Sequence, residues 1–212
     1  MRRVLAYVLC CCGFALSVVY GADVTVEPTG IYQTIDVRLM DETIRSLAQS
    51  DAKTRARIIS AIASKPEKFA PPVFYFLSNV LFDDGQKDDA MFWFYAGQLR
   101  GTIDAKICAE KSARAAIGAL NEKFGPPINQ YAFKDIPKLT NTVEHVLAWE
   151  EKTPYDYDRR WINLHGMKAI IGDTNAPLSV PREQWEAIRK TTRDEYRSEF
   201  YEALAEFRKM KR

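Results

Sequence analysis

From position 39 onward, apolar residues recur at intervals of three and four, the spacing of one face of an α-helix. "DETIRSLAQ" sets Ile44, Leu47 and Ala48 on one side, with Asp41 as the predicted cap. "DAKTRARIISAIASK" follows and ends before Pro66. Pro71 and Pro72, tolerated in a first helical turn, open "VFYFLSNVLFDDG", which stops at Gly85. "KDDAMFWFYAGQLRG" is read as a helix to Gly101, and a longer one over 102–124 is expected to stop at "GPP". Ile136, Leu139, Val143, Val146 and Leu147 share a face of the next helix. In the last helix, with Ser179 as its expected cap, a stripe of Trp185, Ile188, Thr192, Tyr196, Phe200, Ala203 and Phe207 faces inward and Tyr201 faces out. Before position 39 only Val24 and Val26 alternate, as a short strand would.

Phe92, Trp93, Phe94 and Tyr95 break the amphipathic pattern. Four rings in succession span most of a turn, so no single face hides them. Their helix is predicted to be enclosed by neighbours on at least three sides. The fold class that follows is all-α: a helical-hairpin bundle or short α-solenoid-like domain of about six to eight helices.

Residues 78–101, "SNVLFDDGQKDDAMFWFYAGQLRG", resemble one Sel-like repeat, a relative of the tetratricopeptide repeat. In the family's first helix a small hydrophobic-aromatic pattern closes on glycine, and Phe82 and Gly85 stand there. In its second helix Ala90, Trp93, Phe94 and Gly101 match, with Gly97 and Gln98 at the paired small positions. The loop between the helices is shorter than the family's. The resemblance implies a protein–protein interaction scaffold and a structural Trp93. Proteins of this family are often exported in bacteria, and some resemble immunity proteins against secreted toxins.

The chain's start changes the picture of where it works. Arg2 and Arg3 precede an uncharged apolar run over residues 4–20, with Val19 and Gly21 small enough for signal-peptidase positions. A signal peptide over 1–21, cleaved after Gly21 or Ala22, leaves one domain over 22–212 in the periplasm or outside the cell. The competing reading is a membrane anchor, since 17 residues is the short limit for a span. Cleavage removes two basic residues, so 30 − 2 = 28 basic face 28 acidic ones. Such a balance gives no field for nucleic acid or for stable membrane association. It also removes Cys10, Cys11 and Cys12, leaving Cys108 with no partner for an intramolecular disulfide.

Motifs for chemistry are sparse. The two histidines, His145 and His165, have no metal-ligand spacing, and no cofactor is expected. His145 is predicted to face solvent. Cys108 shares its face with Ala105, Ala115 and Ala119 and is read as a buried small side chain. Glu110 and Arg114, four apart, are read as an ion pair. Richest in interface residue types is "YDYDRRWINLH", which offers Tyr155, Tyr157, Arg159, Arg160, Trp161 and His165 as a candidate partner-binding set. The plainer reading packs the rings onto the bundle and pairs the arginines with Asp156 and Asp158.

The functional expectation is an exported protein-binding module without catalysis, in its sharpest form an immunity or inhibitor protein toward a secreted toxin. The alternatives are a periplasmic hydrolase using His165 or His145 with a carboxylate, and a structural component of an envelope complex.

Overall fold

The structure, a computed structural model, describes residues 27–172, 175 and 177–210. The leader, its cleavage site, the short strand at 24–26 and the last two basic residues lie outside these. Eight α-helices appear among the described residues: α1 (Arg38–Gln49), α2 (Ala52–Ser64), α3 (Pro71–Asp83), α4 (Lys87–Ile107), α5 (Ala115–Ala132), α6 (Ile136–Lys152), α7 (Met167–Ile171) and α8 (Trp185–Met210). The fold is all-α, as the periodicity predicts. No strand is formed among the described residues, only an isolated bridge between Cys108 and Ser179.

Helix α4 is the centre of the bundle and packs on α3, α5, α6 and α8. The four rings explain how it is held. Phe94 meets Tyr75 of α3 edge-on at 5.5 Å, and Trp93 lies 5.1 Å from Phe74. On the α6 side both Phe92 and Trp93 meet Trp149, at 5.7 and 5.9 Å. The Tyr95 hydroxyl donates to Asn129 Oδ1 of α5 at 2.9 Å. Trp93 is buried, as a ring that must be enclosed. Helices α3 and α4 form a hairpin through Gly85, whose φ of 83° suits a residue without Cβ. Gly97 lets the two helices close up: a Cβ there would stand 3.1 Å from Tyr75 Cδ2 and 3.2 Å from Phe74 Cβ. On α6, Leu139, Val143, Val146 and Leu147 are buried. On α8, Leu204 takes the buried place expected for Ala203, and Tyr201 is exposed.

Several expected boundaries move. Helix α4 does not end at Gly101 but continues to Ile107. Gly101 serves close approach instead, since a Cβ there would come within 2.8 Å of Ile117 Cδ1. The expected helix over 102–124 is broken at 108–114, where the backbone pairs with 178–180: Val180 N–H donates to the Ile107 carbonyl at 2.9 Å. Ser179 is thereby part of this pairing and not the cap of α8, which begins after a 3-10 turn at Arg182–Gln184. Asp41 lies within the first turn of α1, whose N-cap is Val37.

The "GPP" stop fails for a tertiary reason. Helix α5 runs through Pro126 and Pro127 to Ala132. Each proline forfeits a helical hydrogen bond, but the turn beyond them is tied to α4. Ile128 and Ala132 are buried, Asn129 accepts from Tyr95, and Gly125 touches down on Phe94. The glycine is a contact point, not a terminator.

Candidate functional site

After α6 ends at Lys152, the chain passes without regular secondary structure through 153–158 into a 3-10 turn at Arg159–His165. The side chains of this segment divide between two sides. On the inner side three donors converge on the fully buried carboxylate of Asp104, in the last turn of α4. Tyr157 Oη donates at 2.8 Å, Arg159 Nε at 2.7 Å and Trp161 Nε1 at 2.9 Å. Tyr155 donates to a second fully buried carboxylate, Glu150, at 2.7 Å. Arg189 and Arg193, one turn apart on α8, bond the same group at 2.6 and 2.8 Å. The Tyr155 ring lies between two guanidiniums, Arg100 and Arg159, each 3.9 Å from its centre. Arg100 is itself fully buried and donates to the carbonyls of Thr153 and Pro154.

Four guanidiniums thus surround two buried carboxylates. Charges this deep are tolerable only when paired or held over aromatic faces. Arg100 leans on Trp149, Tyr155 and Tyr157, and Arg159 on Tyr155 and Trp185. Arg100 Nε and Nη1 and Arg159 Nη2 are buried without a hydrogen-bond acceptor, consistent with ring faces serving in that role. Burial pushes the Tyr155 and Tyr157 hydroxyls well above their ordinary range, so both stay protonated donors. Desolvation, the largest effect on Arg159, acts to lower its value, but Asp104, Tyr157 and Tyr155 together outweigh it and raise it. The network is a lock that fixes the segment on α4, α6 and α8.

The candidate partner-binding set therefore divides. Tyr155, Tyr157, Arg159 and Trp161 point into the lock, with Trp161 only 1% exposed. Arg160 lies on the other side, where it bonds Asp158 and reaches the Thr34 carbonyl at 2.8 Å. His165 is exposed beside Trp161, ring centres 5.8 Å apart, and desolvation lowers its pKa. The outer side also meets the start of the fold. Asp36 N–H donates to Asp158 Oδ2 at 3.0 Å, and Asp156 N–H to the Glu67 carbonyl at 2.7 Å.

Between these elements lies a cavity of about 490 Å³, walled by Val37, Leu39 and Met40 of α1 and its lead-in, by Ala70, and by 155–158 and Trp161. That volume is in the range of small-ligand and side-chain sites. Lys68, Asp156 and Arg182 stand exposed along it. No side chain among the described residues pairs with Lys68 or Asp156, and Arg182 only covers the Trp185 ring, at 5.4 Å. A second, apolar groove of about 310 Å³, which shares Met40 and Trp161 with this cavity, runs past Ile44, Pro72, Leu120 and His165.

The remaining candidates are placed as follows. His145 is exposed against Phe92, ring centres 5.0 Å apart, while the adjacent Glu144 is engaged by Arg197 and Tyr201. Cys108 is buried, its Sγ 3.1 Å from Asn163 Oδ1, and burial raises its pKa. Glu110 does not pair with Arg114. Its carboxylate takes the Ser112 hydroxyl and the Lys168 N–H, because the break after α4 turns it toward α7. Asp104, Arg100 and Glu150 were not singled out as a site from sequence. The available signal was charged residues next to apolar ones near the ends of α4 and α6, together with donor side chains at 155, 157, 159 and 161.

No family model matches the chain, and no solved structure matches it. The chain is 23% identical over 160 residues to an uncharacterized protein of Haemophilus influenzae. That match covers 74% of this chain and 58% of the relative, so the chain spans under two thirds of the relative's length.

Proposed function

We propose that this chain is an exported protein-binding module and that its partner docks on the face holding the 490 Å³ cavity. The observation that carries this reading is the combination of a rigid wall and an unsatisfied rim. The buried lock around Asp104 and Glu150 holds 155–161 in one geometry, which lowers the ordering cost of association. The rim meanwhile offers Lys68, Asp156 and Arg182, for which no ion-pair partner is present among the described residues. Charged groups around a recess of mixed aromatic, apolar and polar lining are suited to orient a partner side chain that enters it. The narrower role, inhibition of a secreted toxin, rests on the Sel-like resemblance and the export signal alone.

The test is retention of the partner that co-purifies from the native envelope. Lys68→Glu combined with Arg182→Glu reverses the rim's free cations and is expected to abolish retention while leaving the melting temperature unchanged. Lys53→Glu, at an exposed position of α2, is the control and is expected to retain it. Undiminished retention by the double variant places the interface elsewhere.

A further inference from the structure

Helices α1 and α5 both pack on α3, and the apolar groove of about 310 Å³ opens between them. Residues 116, 119, 120 and 123 recur at the spacing of one face of α5, and α3, α4 and α6 take up its other faces. That face leaves Ala116, Ala119 and Leu120 as one wall of the groove. Met40 and Ile44 of α1 are the other, and the buried Pro72 and Trp161 complete it. Alanine at 116 and 119 keeps the recess open, since a bulky side chain at either position would fill it.

None of these seven side chains can donate a hydrogen bond to an occupant. The Met40 thioether is at most a weak acceptor, and the aliphatic side chains and Pro72 hold no polar atom. The Trp161 Nε1–H is already given to Asp104 at 2.9 Å. A polar group placed among them would lose its water without replacement, so the groove accommodates hydrocarbon. Two polar side chains also line it, Lys123 and His165, both exposed. Lys123 Nζ stands over the Phe124 ring at 5.4 Å and has no carboxylate partner among the described residues. The His165 ring makes no hydrogen bond among the described residues, and desolvation favours its neutral form, which keeps one N–H to donate. No acidic side chain among the described residues lines the groove.

Size decides the form of the occupant. One helical turn with its side chains, roughly 10–12 Å across and about 5.4 Å long, occupies roughly 400–600 Å³. The groove is smaller than that, so a partner helix does not fit inside it, whereas a single hydrocarbon chain does. One fixed positive charge beside one neutral donor matches a singly charged carboxylate, through charge-assisted hydrogen bonds. We infer that the groove between α1 and α5 is a binding site for a fatty acid. Its chain lies against Met40, Ile44, Ala119 and Leu120, and its carboxylate is held by Lys123 and His165. This goes beyond the binding reading and does not depend on it, since neither Lys68 nor Arg182 lines the groove.

The test titrates decanoate, below its micelle concentration, into the chain freed of bound lipid, by calorimetry at about pH 8, where histidine is neutral. One decanoate is expected per chain. From hexanoate to decanoate, each added methylene is expected to tighten binding by up to about fourfold, the value of a fully buried CH₂. Decyltrimethylammonium, a chain of the same length with the opposite charge, is expected to bind at least about tenfold more weakly. Lys123→Glu is expected to reverse that preference. Ala119→Trp, at an exposed helix position, fills the groove and is expected to abolish uptake without lowering the melting temperature. Absence of saturable decanoate uptake overturns the inference. So does uptake that Ala119→Trp leaves unchanged, or equal affinity for the two amphiphiles. If wild type takes up no decanoate while Ala119→Trp loses the protein partner from the envelope, protein side chains fill the groove, and the inference is again overturned. Should Ala119→Trp melt early, Ala116→Phe is read by the same outcomes.

Discussion

Replacing Asp104 by Asn keeps the shape of the side chain and removes its charge, which isolates what the buried lock contributes. The carboxylate is fully buried and accepts from Tyr157, Arg159 and Trp161. An amide oxygen can accept from two of these three, and the amide nitrogen then faces a donor. Arg159, with only 9% of its side chain exposed, keeps its charge and loses its carboxylate partner. Breaking a buried pair from one side costs about 3–5 kcal/mol. For a domain of this size that corresponds to a fall in melting temperature of roughly 6–20 °C. Arg159→Met in the same chain removes the stranded charge, so the double variant is expected to be more stable than the sum of the two single losses implies. Thermal and urea melts of the four proteins in the cycle measure this. A single Asp104→Asn variant within about 1 kcal/mol of wild type, below the range for a broken buried pair, would refute the reasoning. So would strictly additive losses, because the lock would then not act as a unit.

Trp93→Ala is expected to destabilise by about 3–5 kcal/mol in urea melts, the usual loss for an aromatic core truncation. Gly97→Ala should cost about 1–3 kcal/mol by overpacking against Tyr75, Phe74 and the Pro71 carbonyl, despite about 1 kcal/mol of gained helix propensity. Burial raises the hydroxyl pKa values of Tyr75, Tyr95, Tyr155, Tyr157 and Tyr196. Raised folded values mean that their contribution is complete below the unfolded tyrosine value of about 10 and is lost as pH climbs above it. An alkaline titration should therefore show phenolate absorbance from these residues appearing together with unfolding, as followed by circular dichroism, and not ahead of it.

Much of the bundle was legible because its elements are fixed by local pattern. The buried face of α6, the proline-opened start of α3 and the Gly85 turn each follow from spacing or from one residue's backbone preferences. Enclosure of α4 was legible for a different reason: four successive rings leave no orientation that hides them all. The glycines at 101 and 125 misled for the complementary reason. A helix stop and a close helix contact demand the same missing Cβ, and only the neighbour, Ile117 or Phe94, tells them apart.

The site shows the same division. The sequence marked 155–165 by its residue types, but it did not say which side of the segment is used. That depended on Asp104 and Glu150, which lie on α4 and α6, and on Arg189 and Arg193 from α8. A buried charge is stable only beside its partners, and those partners are brought together from distant parts of the chain. Local pattern therefore determined the helices and most of their inward faces. Tertiary structure alone decided the end of α4, the passage of α5 through two prolines and the turning of Glu110 toward α7. It also decided the inward lock that leaves Lys68, Asp156 and Arg182 at the cavity's edge, because each of these follows from contacts between residues that no local spacing relates.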